Sequence, residues 1–394
     1  MKRCLPMLAA ALALTACTAA PAETAPAETT PPAESVTEES AAVSAPAVGT
    51  LHSPTYSDTD DAFYELDLDT DANTYRVLRV DYARAEQEKL CEIDHEWEYS
   101  YFAVDGNLVV LWNDSGSFGF TVVSPDGTTR EQPMEQEFVA QIYDENAAYQ
   151  LTSKSCLRLD WQTGKITQTD APLTQLRAVY GLVDNKVLVS RYVTDTPLPD
   201  ANDMSHAEMY EAIIQNSMIE FDLYDIASNT IQKLFDWEYS SDEAGTAQYI
   251  GSRGSVAYFT MSEWDGNESS PTTNTLRGFD TASGTWQDVH VENAAPGNFG
   301  TLGLTRNGQL EYAALNWGTH TLVFYKLADG TTYEVPYDDS GNGGFPVALT
   351  GDGRVLVTDG YVASRSNVLG YGLIDEDAYL AGSREYTKVK MWEE

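Results

Sequence analysis

Between Arg3 and Arg76 the chain has no lysine or arginine. The shortage is general: 23 Lys and Arg stand against 61 Asp and Glu in 394 residues, a formal net charge of −38. Such a surface repels polyanions, which excludes nucleic acid and anionic headgroups as partners and leaves cations, cationic peptides and neutral glycans open. Acidity also has a plainer use, keeping an exported protein soluble. The chain has only four cysteines, and no Cys/His spacing of the metal-binding type. The histidines at 52, 95, 206, 290 and 320 read as isolated, without metal-ligand neighbours. Gly-x-Ser-x-Gly, phosphate-loop and His-Glu-x-x-His motifs are all missing, so the reading leans away from an enzyme and implies no cofactor. No stretch approaches ~20 consecutive apolar residues, which excludes an ordinary membrane-spanning helix.

The N-terminus is unlike the rest. Lys2 and Arg3 precede an apolar run over 4–14, of signal-peptide length, and Leu14-Thr15-Ala16-Cys17 closes it. That tetrad resembles the lipobox of bacterial lipoproteins, which implies diacylglycerol on Cys17, cleavage before it and an extracytoplasmic, lipid-anchored protein. Cleavage would take the bases from 23 to 21 against 61 acids, a net of −40. The competing reading, a signal peptide cut at an Ala-x-Ala-type site, gives a secreted chain. Residues 18–49 contain only Ala, Pro, Glu, Thr, Ser, Val and Gly. They bury too little apolar surface to offset ordering entropy, so they are expected to form a disordered tether spanning ~30 Å as a coil.

Residues 50–394 read as short alternating or β-branched runs cut by Gly, Asn and Asp turns. One turn type sits inside hairpins, as in Val104-Asp-Gly-Asn107, Val183-Asp-Asn-Lys186, Gly251-Ser-Arg-Gly254, Arg306-Asn-Gly-Gln309 and Gly351-Asp-Gly-Arg354. A second follows the next strand: Asp81–Ala85, Asp160–Gly164, Asp225–Asn229 and Asp280–Gly284, with shorter versions at Pro125-Asp-Gly127 and Ala328-Asp-Gly330 and a degenerate one near Asp375–Gly382. Seven such units, each long enough for four strands, predict an all-β propeller of seven blades. Six or eight blades, or a pair of β-sandwiches, are the competing counts. The Asp-x-x-Thr-Gly turns look like those of quinoprotein-type propellers. Cys91 and Cys156 fall in non-adjacent repeats and are expected to be free thiols.

In a propeller the connections from second to third strand, and from each blade to the next, share one face. Blade 4 carries an insertion over 194–217, where Ser205-x-x-Glu208 caps a short helix with Met209, Tyr210, Ile213 and Ile214 at helical spacing. Trp97, Tyr99, Tyr210, Trp237, Tyr239, Trp264, Asp265 and Trp317 also map to this face. An aromatic, acidic rim stacks sugar rings or cages a cationic group; the alternative is that these rings pack between blades. Asp67, Asp69, Asp71 and Asn73 alternate like the start of a calcium loop, but Gly at the sixth position and the bidentate Glu are missing.

Three functions fit. The first is a non-catalytic envelope binding or scaffold protein that uses this face for a glycan, peptide or protein partner. The second is a carbohydrate-active enzyme with a carboxylate pair there. The third is an envelope assembly factor similar to the propeller lipoprotein of outer-membrane barrel assembly, which implies eight blades.

Overall fold

Each blade forms where an alternating run meets a turn that a side chain holds closed. In Asp160–Gly164 the Asp160 carboxylate accepts the N–H groups of Gln162 (3.1 Å) and Thr163 (3.0 Å), and Gly164 takes a positive φ of 69°. A side chain at Gly164 would also meet Pro133 O of the neighbouring blade at 2.7 Å.

The structure is a computed structural model. It describes residues 48–392 apart from 54–58, 60, 70–73, 96, 197, 200–208, 210–211, 214–216, 239–245, 264–272, 294–300, 316–320, 338–342 and 362–368. The side chains of residues 69, 97–99, 238, 246, 263, 291–293, 301, 315 and 361 are likewise outside the description.

Seven antiparallel sheets follow one another along the chain, over 62–93, 97–134, 142–170, 176–238, 246–293, 301–336 and 343–388. They are blades 1 to 7 of an all-β, seven-bladed propeller. Six have four strands, while blade 1 has three among the described residues, Ala62–Asp69, Thr74–Asp81 and Glu86–Ile93. The first strands of blades 4, 5, 6 and 7 touch one another in series, so they line the axis. Outer strands such as Ile166–Asp170 are largely exposed.

The middle strands bury both faces. In Met218–Asp225 of blade 4, Ile219, Phe221 and Leu223 point at blade 5, and Tyr224 points at blade 3. One apolar cluster fills every blade interface, seven in all, including one between blades 7 and 1 built on Leu356, Tyr371, Leu373, Val80 and Tyr82. Each such side chain adds about 2 kcal/mol by leaving water, and seven clusters in a ring leave no blade pair without a core. Ring closure uses the C-terminal segment. Val389 N–H bonds Tyr371 O in blade 7 at 2.9 Å, while Lys390 N–H bonds Ala85 O and Gln87 N–H bonds Lys390 O in blade 1, at 2.9 and 2.8 Å.

The two faces of the ring differ. On the face holding the first and third turns of each blade, which we call the scaffold face, every interface is stitched by a hydrogen bond. Tyr64 reaches Gly106 O (2.9 Å), Arg130 reaches Trp161 O (2.9 Å) and Ser252 reaches Leu182 O (2.6 Å). Arg253 reaches Glu311 (2.6 Å), Arg306 reaches Thr350 O (2.6 Å) and Arg354 reaches Tyr82 O (2.7 Å). Between blades 3 and 4 Asn229 Nδ2 reaches Asp170 O (2.8 Å), and the entering chain adds a second stitch. Gly49 N–H bonds the Asp144 carboxylate at 3.1 Å, and Leu51 N–H bonds Asn185 Oδ1 at 2.7 Å. Leu51 is buried in the cluster there, and His52 pairs with Tyr143.

Three details differ from the sequence expectations or extend them. The degenerate turn of blade 7 contains a one-turn helix, Glu376–Leu380, capped by Asp375, whose carboxylate accepts Ala378 N–H at 3.1 Å. Seven blades replace the eight that the assembly-factor resemblance implied. Cys91 and Cys156 are free, in blades 1 and 3, as expected; burial pushes their thiols up to about 11 and about 12, so neither is a ready nucleophile.

Candidate functional site

The opposite face, the rim, holds the second connection of each blade and the links between blades. Among the described residues the large apolar side chains that stay exposed are Leu68, Val193 and Met209, and all three lie at this face. Leu68 lies at the end of strand Ala62–Asp69, before the connection to Thr74–Asp81, Val193 ends the second strand of blade 4, and Met209 lies in the blade 4 insertion. Helical backbone is seen there at Met209, Ala212 and Ile213; the remainder of the expected helix lies outside the described residues.

The best-defined polar constellation on the rim is one that the sequence reading missed. His95, in the link from blade 1 to blade 2, stacks on Trp112 with ring centroids 3.8 Å apart and planes 14° from parallel. Its Nδ1 lies 2.6 Å from Asp114 Oδ2, and its Nε2 lies 3.8 Å from Glu131 Oε1. Trp112 in turn lies flat over its cross-strand partner Gly119, where a Cβ would come within 2.2 Å of the indole, so only glycine admits this stack. The indole N–H is anchored on Thr121 Oγ1 at 3.1 Å. The reading of His95 as isolated is therefore corrected. The signal was topological: His95 lies in a between-blade link and Asp114 at a second connection, and those two share a face. With Nδ1 facing Asp114, Nε2 points away from that carboxylate. The His95 side chain is only 10% exposed, and Nε2 is buried without a hydrogen-bond partner.

A second polar cluster lies on the two strands that flank the blade 4 insertion. Arg191 Nε donates to Asp222 at 2.8 Å, its Nη2 donates to Glu220, and Lys233 bonds the other Glu220 oxygen at 2.9 Å. Burial raises the Asp222 carboxyl above the usual carboxylate range, against the opposing pull of Arg191. This network braces the two strands that flank the insertion, and Asp222 Oδ1 is left buried beside it without a hydrogen-bond partner.

Of the sequence-predicted rim residues, Trp237 is described. It lies at the rim end of Thr230–Glu238 and packs against the cluster between blades 4 and 5, so for this ring the packing reading holds. Trp97 and Tyr99 sit in strand Trp97–Val104, at its rim end, but their side chains are outside the description. Tyr210, Tyr239, Trp264, Asp265 and Trp317 lie outside the described residues. Of the calcium candidates, Asp67 lies within strand Ala62–Asp69 and pairs with Arg76 at 3.1 Å, and Asp69 ends that strand; Asp71 and Asn73 lie outside the described residues.

No protein-family model matches the chain, and no curated protein matches it. Solved propellers resemble it in architecture. The β-propeller domain of the Trilobed protease from Pyrococcus furiosus has a TM-score of 0.46 and 10% identity, over 87% of this chain and 93% of that one. PorZ, a surface component of the type-IX secretion system of Porphyromonas gingivalis, has 0.44 and 11%, over 88% of this chain and 39% of that one. An oligogalacturonate lyase from Vibrio parahaemolyticus has 0.39 and 11%, over 82% of this chain and all 100% of that one. The likeness is one of fold alone.

Proposed function

We propose that the chain is a non-catalytic binding lipoprotein of the cell envelope, anchored through Cys17, that presents its rim face to a glycan, peptide or protein partner. One observation carries this reading. The chain enters the ring at Gly49–Leu51 on the scaffold face, against Asp144 and Asn185. A tether leading from there to a lipid turns the rim away from the membrane. Stitching of every interface on the scaffold face supports the same division: one face holds the ring, and the other is free to vary its loops. The exposed Leu68, Val193 and Met209 add apolar contact area on the free side.

The test is a titration of the full chain with soluble muropeptides, neutral oligosaccharides and an oligolysine peptide, read by tryptophan fluorescence and thermal shift. A saturable response to one class supports the reading, and silence across all three overturns it for small ligands of these types. Cys17→Ala should move the protein from the detergent phase to the aqueous phase; unchanged partitioning removes the anchor.

A further inference from the structure

We propose that His95 and Glu131 form a binding site for a divalent transition-metal cation of the zinc class, with Asp114 as the residue that orients His95. The proposal goes beyond the rim's reading as a partner surface and does not depend on it.

Three observations on blade 2 converge. His95 Nε2 is buried and has no hydrogen-bond partner, a state that costs free energy unless a donor or cation meets it. The nearest charged group is Glu131, whose Oε1 is 3.8 Å away. That is too long for a hydrogen bond, yet it is a separation two ligands of one ion adopt at a wide bond angle, since Zn–N and Zn–O bonds are about 2.0–2.2 Å. On the far side of the ring, Asp114 Oδ2 takes Nδ1 at 2.6 Å. A carboxylate on the remote nitrogen fixes the tautomer and raises the basicity of the metal-facing one, the arrangement in which ligating histidines are commonly held.

The surroundings favour a cation. Asp94, Asp114, Glu135 and Glu137 lie at the rim in or beside blade 2, and Glu131 lies on its outer strand. The Trp112 stack on Gly119 holds the imidazole plane in place. Among the described residues no third His, Cys, Asp or Glu completes a protein cage, so water would occupy the remaining positions. Glu131 is 64% exposed and gives an ion its way in.

The experiment is a calorimetric titration of the EDTA-treated full chain with zinc chloride, repeated with His95→Gln, Glu131→Gln, Asp114→Asn and the nearby control Glu137→Gln. One saturable site is expected. His95→Gln and Glu131→Gln should each weaken it at least tenfold, Asp114→Asn by about 10–100-fold, and Glu137→Gln should leave it unchanged. Glu131 is exposed, so Glu131→Gln keeps the fold and carries the test even where His95→Gln disturbs the Trp112 stack. No saturable site, or equal affinity in wild type and Glu131→Gln, overturns the proposal.

Discussion

Leu51 donates its backbone N–H to Asn185 Oδ1 at 2.7 Å, across 134 residues, and Asn185 Nδ2 returns a bond to Gly49 O at 3.3 Å. Asn185 also takes a left-handed φ of 58°, so one residue both turns the first hairpin of blade 4 and grips the entering chain. Asn185→Gly keeps the turn and removes both grips. Amide exchange at Leu51 and His52 should quicken by an order of magnitude or more, while exchange in Lys186–Val193 stays near wild type. Equal protection of residues 48–53 in wild type and variant would show that the grip does not hold the chain.

The C-terminal segment closes the ring beside the apolar cluster and the Arg354 bond between blades 7 and 1. Removing 387–394 deletes Val389, which is 5% exposed, and the backbone bonds that join blades 7 and 1. The buried valine and these three hydrogen bonds account for about 4–5 kcal/mol, and the Thr387–Lys388 strand pairing and the Lys390–Glu86 ion pair are lost with them. Calorimetry should show a lower Tm, and limited proteolysis should open blade 1 first.

The Arg191 network gives a pH-dependent prediction. Arg191→Met leaves Asp222 buried without its cation, while Glu220 keeps Lys233, at a cost of about 3–5 kcal/mol near neutral pH. Burial already raises Asp222 in the folded state. Its protonated form is therefore favoured by folding, and that contribution is present below the unfolded carboxylate value and lost as pH rises through the folded one. The variant's deficit should shrink as pH is lowered from neutrality through the raised Asp222 value toward the ordinary carboxylate range, measured by urea unfolding.

The turn carboxylates have the opposite sign. The Asp280 carboxyl is lowered by the Ala282 N–H and the Ser283 and Ser255 hydroxyls, and Asp329 by the Thr331 hydroxyl and N–H. Their contribution is present above the ordinary carboxylate value and disappears as pH falls through the lowered one, so wild-type stability should drop below about pH 4. Asp280→Asn should flatten that drop.

The thiols provide a check on packing. With Cys91 held at about 11 and Cys156 at about 12, iodoacetamide at pH 8 should label neither in the folded chain and both in urea. Fast labelling of Cys156 would place it outside the core between blades 3 and 4.

The blade count was legible because turn chemistry is local. Asp160, Asp225 and Asp280 each accept N–H groups within three residues, and the residues closing those turns, Gly164, Asn229 and Gly284, all have positive φ. Where a blade breaks that rule the reading lost detail: Asp375 caps a helix, and the first turn of blade 3 is held by Asp144 without any glycine. The use of residues 48–52 against blades 3 and 4 was not legible, since Gly49 and Leu51 meet partners 95 and 134 residues away. The rim was read from aromatic content, which finds rings but not which of them pack. Trp237 packs. His95 and Asp114 form the rim's best-defined polar pair, yet they stand 19 residues apart across a hairpin, and neither is notable alone.

The central claim is that the rim is the working face. It is tested most directly by titrating the responsive ligand class into wild type, Trp264→Ala, Trp317→Ala and the scaffold-face variant Asn185→Gly, with the Tm of each measured alongside. Affinity should fall at least tenfold in Trp264→Ala, Trp317→Ala or both at unchanged Tm and be preserved in Asn185→Gly. Wild-type affinity in both tryptophan variants, or lost binding in Asn185→Gly, would contradict a working rim.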